Sequence, residues 1–293
     1  MNPMELLPEK IAELVHELAV LPFDNMNHSG PVVDAFVLTN YVVWGFIALV
    51  VISTLFFVVA RKEKQRLALA ETGDVTVLAP SGRLMGVLES GVEFIRNMAI
   101  EVIGPKDGPR FVPLLGTFFF LILTSNMLGL IPGGKSIGGT IGGAVGLALI
   151  SWCVFVWVGF TKNGAYGYLK SLIPSGVREM PLAARIGLGG FIFLLEFVST
   201  FIVRPLTQSV RLFANMYAGH IILGVFSAFV LLFIPITVEK LSLSVGGVAV
   251  GIVSFAFLLI MYAFEVFVAF IQAYVFTILT AVYIQSSVHA SEH

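Results

Sequence analysis

The stretch RPLTQSVRLFANMYAGH, residues 204–220, decides how this chain is read. It lies inside a long apolar run from Gly187 to Phe233, yet it carries Arg204, Gln208, Arg211, Asn215 and His220. An arginine at the centre of hydrocarbon costs about 2.5–3.5 kcal/mol on insertion scales, so such a residue normally faces a bundle interior, a water-filled cavity or an opposite charge. At about 100° per residue, positions 204, 208, 211 and 215 fall along one stripe of a helix, which the small Ala218 and Gly219 continue. His220 points to nearly the opposite side. One helix therefore offers a basic face to one environment and a titratable imidazole to another, an arrangement suited to ion movement.

Composition places the chain in its class. Of 293 residues, 57% are hydrophobic and 12% charged, and the mean hydropathy is +0.95. Soluble domains carry about 25% charged residues, so the reading is an all-α integral membrane protein. A formal net charge of −1 speaks against a nucleic-acid partner. The single Cys153 excludes an intramolecular disulfide. The glycine-rich run GGKSIGGTIGGAVG, 133–146, lacks the order of a phosphate loop and follows no strand, so its glycines are read as allowing close helix approach. His289 and His293 are too sparse to suggest a metal site, and no nucleophile motif is present. Neither a cofactor nor covalent chemistry by the chain alone is expected.

The first span runs from about Phe36 to Ala60, enough to cross ~30 Å of hydrocarbon. It ends at Arg61, Lys62, Lys64 and Arg66, a stop-transfer cluster. Residues 67–83 read as a polar connection. Leu84, Val87, Leu88, Gly91, Ile95 and Met98 then recur at helical spacing opposite Glu89, Glu93, Arg96 and Asn97, which predicts an in-plane amphipathic helix. A second span covers Phe111 to Leu130, with Asn126 near its end as a helix-packing contact, and a third covers Gly139 to Phe160. The runs 187–233 and 245–285 are longer than a perpendicular crossing needs and predict a tilted hairpin, the first arm bent at Pro205. In the second arm Glu265 and Gln272 share a face, with Ala269 between them, and need polar partners. The Arg211 stripe and the His220 side are the candidates. Together these give about five membrane helices over 36–293, plus in-plane helices.

Residues 1–35 form an N-terminal extension. Glu5, Glu9, Glu13 and Glu17 replace the basic start of a signal peptide. Leu7, Ile11, Leu14, Val15 and Leu18 make a helical stripe, either an amphipathic helix at a membrane surface or partner, or a loosely held segment. Basic residues set the orientation. The 61–110 region holds eight lysines and arginines and the 161–185 loop four, against three in the N-terminal segment and the 131–138 and 234–244 turns. The N-terminus is therefore expected outside and the C-terminus inside.

The strings VRLFANMYAGH (210–220) and FIQAYVFTILTAVY (270–283), with SNMLGLIPG (125–133) and TKNGAYGYLKSLIP (161–174), resemble subunit a of the F-type ATP synthases. The resemblance runs from about residue 36 to the C-terminus. It implies a proton-conducting stator against a rotating ring of c subunits, held by a b-subunit peripheral stalk, in a bacterial inner membrane rather than a mitochondrial one. Arg211 matches the essential arginine, with Asn215 and Gln272 as polar neighbours. His220 and Glu265 match the two half-channel positions, exchanged between the two helices relative to some relatives. Glu196 resembles an upstream acidic residue, but its spacing to Arg211 is off by one. The 220–265 interval is long, which implies an insertion in the outer turn near 234–250.

The chemistry of these side chains fits that role. A guanidinium keeps its charge at any working pH, so Arg211 can block a continuous proton path while attracting each arriving carboxylate. His220 and Glu265 are suited to passing protons, and Arg204 reads as an interfacial, snorkelling residue. A stand-alone secondary transporter predicts an inverted repeat, which is not evident here. A structural scaffold accounts for amphipathic helices but not for aligned polar residues at membrane depth.

Overall fold

The computed structural model describes residues 40–70, 83–131, 134–171, 182–239 and 245–289. The expected N-terminal amphipathic stripe lies outside these residues, as does most of the 67–83 connection. Among the described residues all regular structure is helical: α1 (Asn40–Ala70), α2 (Arg83–Ile103), α3 (Gly108–Gly129), a 3-10 turn (Ile137–Gly139), α4 (Ile141–Ser171), α5 (Leu182–Val198), a π turn (Ser199–Val203), α6 (Arg204–Glu239) and α7 (Val245–Val288).

Among the described residues, four stretches are long and apolar enough to cross a membrane: Gly108–Gly129, Ile141–Gly164, Gly187–Leu231 and Ala249–Val288, with Val43–Phe57 as a shorter apolar helix. The last two long stretches hold 45 and 40 residues. At 1.5 Å per residue they reach roughly 68 and 60 Å, twice the ~30 Å hydrocarbon layer, so both must run at a steep tilt. The additional length near 234–250 goes into the ends of these two helices, up to Glu239 and from Val245.

Three boundaries differ from those read off the sequence. The first helix does not stop at Ala60 but carries its basic cluster on to Ala70, since lysine and arginine are good helix formers outside hydrocarbon. The segment after Phe160, expected as loop, stays helical to Ser171 around a kink at Gly164. The break in the 187–233 run comes before Pro205, in the π turn, where the Arg204 N–H donates to Ser199 O. Proline then sits in the first turn of α6, where its missing N–H costs little.

The α6–α7 hairpin is the spine, with α4 packed on both arms and α3 and α2 packed on α7. Aromatic contacts join the layers: Phe118 meets Phe276 at 5.5 Å, Phe119 meets Phe270 at 5.7 Å and Phe155 meets Tyr283 at 5.4 Å between ring centroids. Ser151 and Thr280 share a buried hydrogen bond of 2.9 Å between α4 and α7. The amphipathic reading of α2 holds for Ile95 and Met98, which are buried, while Glu89, Glu93, Arg96 and Asn97 are exposed; Ala99 and Ile103, outside that stripe, are buried as well. Val87, placed by spacing on the apolar side, is exposed. At the α3 start, Lys162 Nζ donates to Asp107 Oδ1 at 2.8 Å and holds that carboxyl below its ordinary value. Such a depressed group contributes stability above the usual carboxylate range, which is lost as pH falls through the lowered value.

Gly164 has φ 70° and ψ 156°, a region open to glycine and strained for other residues. The kink turns the chain back so that the Tyr168 ring reaches Phe160 at 5.4 Å, edge-on. Gly164→Ala is expected to cost about 1–3 kcal/mol. A sodium dodecyl sulfate unfolding titration checks this, and an unchanged midpoint would remove the kink's claim to need glycine.

Candidate functional site

Helix α6 sorts its polar residues by face. Gln208, Leu212, Met216 and Gly219 are buried, whereas Arg211, Ala214 and Ala218 are exposed. Arg211 is the only charged residue on that exposed face between 206 and 222. Among the described residues no carboxylate lies within ion-pair distance of it. The alanines at 214 and 218, one and two turns on, leave room for another surface to approach the guanidinium.

Across from α6, helix α7 buries Glu265, Ala269, Gln272, Ala273 and Phe276 along one stripe. Asn215 Nδ2 donates to Gln272 Oε1 at 3.0 Å, which fixes this amide pair one helical turn from Arg211. The Glu265 carboxylate occupies the space in which a Cβ on residue 219 would sit, so any larger residue there would displace the carboxylate from its place. His220, half-buried, faces the other way: its Nε2 lies 3.4 Å from the position of a Cβ on Gly129, at the end of α3. Glu265 and His220 thus flank the same turn of α6, but no hydrogen bond or ion pair joins them.

Around His220 the end of α3 and the following loop build a polar pocket. Ser136 Oγ donates to Asn126 Oδ1 at 2.9 Å, and the Ile137 N–H donates to Ser125 Oγ at 2.8 Å. Asn126 Nδ2 and Glu265 Oε2 are buried with no protein partner. Buried polar atoms rarely go unpaired, and such orphans mark places for water. Asn126, read from sequence as a packing contact alone, therefore contributes more. Ser136 was missed, and Gln208 and Gly219, read from sequence as lying on the Arg211 stripe, are buried while Arg211 is exposed. The glycine before His220 was visible, but nothing in one sequence says what fills the space beside it.

On the other side of Arg211 lies a second polar group. Arg204 Nη2 donates to Glu196 Oε1 at 2.9 Å, and its guanidinium stands 5.0 Å from the Tyr283 ring centroid. Arg204 is thus paired rather than merely snorkelling. The π turn explains the pairing. Eight residues of regular helix would set Glu196 and Arg204 about 80° apart, but a π turn absorbs one residue and leaves two full turns, which brings them to one side. Trp152 Nε1 donates to Thr200 O at 3.2 Å, partnering a carbonyl of the turn. Thr200 Oγ1 and both Gln208 amide atoms are buried without partners. Among the described residues no group of three or more His, Cys, Asp or Glu could hold a metal.

The site therefore consists of two clusters of water-accepting polar atoms on one tilted hairpin. Along α6, Arg211 stands seven residues from Arg204 and nine from His220, roughly 10 and 13 Å. Comparison with known proteins agrees. Residues 42–285 match the family described as ATP synthase A chain. The chain is 40% identical over 219 residues to ATP synthase subunit a of Rhodococcus erythropolis, covering 74% of each chain. It is 32% identical over 275 residues to that of Nitrobacter hamburgensis, covering 94% of this chain and 97% of the relative. To that of Rhodopseudomonas palustris strain TIE-1 it is 32% identical over 278 residues, covering 95% and 98%. On this fold, this site and these matches, the chain belongs to the ATP synthase A chain family.

Proposed function

We propose that this chain carries out the proton-conducting stator role of its family through two offset half-channels separated by Arg211. The carrying observation is the position of Arg211: exposed, unpaired among the described residues, and lying between two separate clusters of buried, unpartnered polar atoms. The outer half-channel runs past Asn126 and Ser136 to His220 and Glu265. The inner one runs from Gln208 and Thr200 to Glu196 beside Arg204. A c-ring carboxylate receives a proton from the Glu265–His220 side and carries it round the ring. It is then drawn to Arg211, whose positive charge favours the ionised form and releases the proton into the inner path. Gln272, held by Asn215, keeps the polar surface next to Arg211 in place. In this cycle the chain makes and breaks no bonds other than the N–H and O–H bonds of proton transfer.

The exposed α6 face with its alanines supports contact with a c ring. A stator must also resist torque, which calls for a second attachment such as a b-subunit peripheral stalk. The bias of lysine and arginine toward 61–110 and 161–185 supports a C-terminus in the cytoplasm and an N-terminus outside. Bacterial relatives support a bacterial inner membrane. The imidazole–carboxylate pair favours H⁺ as the ion, since both groups exchange protons.

Arg211→Ala is expected to abolish ATP-driven proton pumping in vesicles that hold the assembled complex, and to raise passive proton leak. Pumping near the wild-type rate would sink the barrier role. Gly219→Ala pushes a methyl into the Glu265 carboxylate and is expected to slow pumping roughly tenfold, equivalent to about 1.4 kcal/mol of barrier. Shortening the acid in Gly219→Ala/Glu265→Asp is expected to restore part of that rate. No slowing in the single variant would show that the carboxylate need not sit there.

A further inference from the structure

A slender apolar cavity of about 450 Å³ lies between α1, α2 and α3, away from both half-channels. Its wall runs along α1 from Leu49 to Phe56 and along α3 from Val112 to Leu121. Phe56 and Phe120 touch edge-on at 5.2 Å between centroids, which sets the level of the two helices. Leu49 lies seven residues from Phe56, and Val112 eight from Phe120, on opposite sides of that contact in antiparallel spans. At 1.5 Å per residue the wall extends roughly 20 Å along the helix axes. A single hydrocarbon chain suits that length, because one leaflet of a ~30 Å core is about 15 Å deep. A 150 Å³ apolar cavity takes one benzene ring, so three times that volume takes roughly eighteen carbons.

The wall chemistry agrees with that occupant. None of the buried unpartnered side-chain atoms belongs to the cavity lining. Of its two hydroxyl residues, Thr117 donates to Pro113 O at 2.7 Å and so leaves its methyl as the free group. Gly116 sits in the middle of α3, where glycine weakens a helix, yet a Cβ there would meet nothing within 4 Å. Close packing therefore does not require that glycine, and the position opens onto free space. Arg110, exposed one turn before Pro113, and Arg61, held 4.4 Å from the Phe57 ring centroid, put two cations at the end where α1 leaves the apolar layer. Phosphate headgroups lie at that level.

We propose that this cavity is a structural phospholipid site, with one acyl chain seated between α1 and α3 and its phosphate near Arg61 and Arg110. The test uses the assembled complex in membranes supplied with a phosphatidylglycerol bearing a photoactivatable diazirine in its acyl chain. After irradiation, labelled residues are mapped by mass spectrometry for wild type, Gly116→Phe, which fills the cavity, and Gly190→Phe, a control on exposed α5. Labelling of the α1 and α3 walls is expected in wild type and in the control, with at least a fivefold fall in Gly116→Phe. Undiminished labelling in assembled Gly116→Phe overturns the proposal, as does wild-type labelling confined to outer helix faces. Cross-links from the walls to another subunit's helix also overturn it, in favour of a partner protein. If Gly116→Phe does not assemble, the wild-type map alone decides.

Discussion

A positive charge held at membrane depth without a fixed counter-charge is the constraint on which the rest of this structure depends. Arg211 has no carboxylate within ion-pair distance among the described residues, although a buried charge without a partner is costly. The fold leaves it on an outer face and surrounds its helix with polar groups that do not neutralise it. The nearest is the Asn215–Gln272 amide pair, which supplies dipoles and no charge. A nearby glutamate would satisfy the guanidinium and remove its attraction for a visiting carboxylate. Glu196, the acid that pairs within this helix run, is held by Arg204 instead.

The tilt of α6 and α7 follows from the same requirement. Helices of 36 and 44 residues are far longer than one crossing, so each spends much of its length beside rather than through the layer. That keeps Arg204, Arg211 and His220 on one rod at spacings of ~10–13 Å, with the two polar clusters on either side of Arg211. A perpendicular helix would place them at widely different depths along a single line. At Gly219 the Glu265 carboxyl lies directly against the backbone of α6, so the packing of the two arms and the placing of that carboxyl share one contact.

Most of the fold was legible because it rests on length and periodicity. The spans near α3 and α4, the amphipathic α2 and the long hairpin follow from runs of apolar residues, and Arg211, His220, Glu265 and Gln272 stood out as polar residues where water is absent. What was not legible depends on contacts between distant segments. Gly164 breaks a helix by its dihedral angles, not by composition, so the helical stretch to Ser171 read as loop. Arg204 looked interfacial because its partner is brought to it by a π turn that no residue pattern announces. Asn126 was noticed but undervalued, since only Ser136, ten residues on, and the neighbouring His220 give it a polar pocket.

The π turn also bears on how such a site tolerates change. An extra residue inside a regular helix rotates everything beyond it by about 100° and would turn Arg211 away from its face. Taken up as one wide turn, it leaves the register of α6 intact and costs only local hydrogen bonding. The freed groups are met by neighbours: Arg204 N–H reaches Ser199 O and Trp152 reaches Thr200 O. The turn sits between Glu196 and Arg204 rather than between Arg204 and Arg211, where α6 is a regular helix. Variation in length is thus absorbed on the side of the pair that the guanidinium does not depend on, and the seven-residue spacing that aligns Arg204 with Arg211 is left untouched.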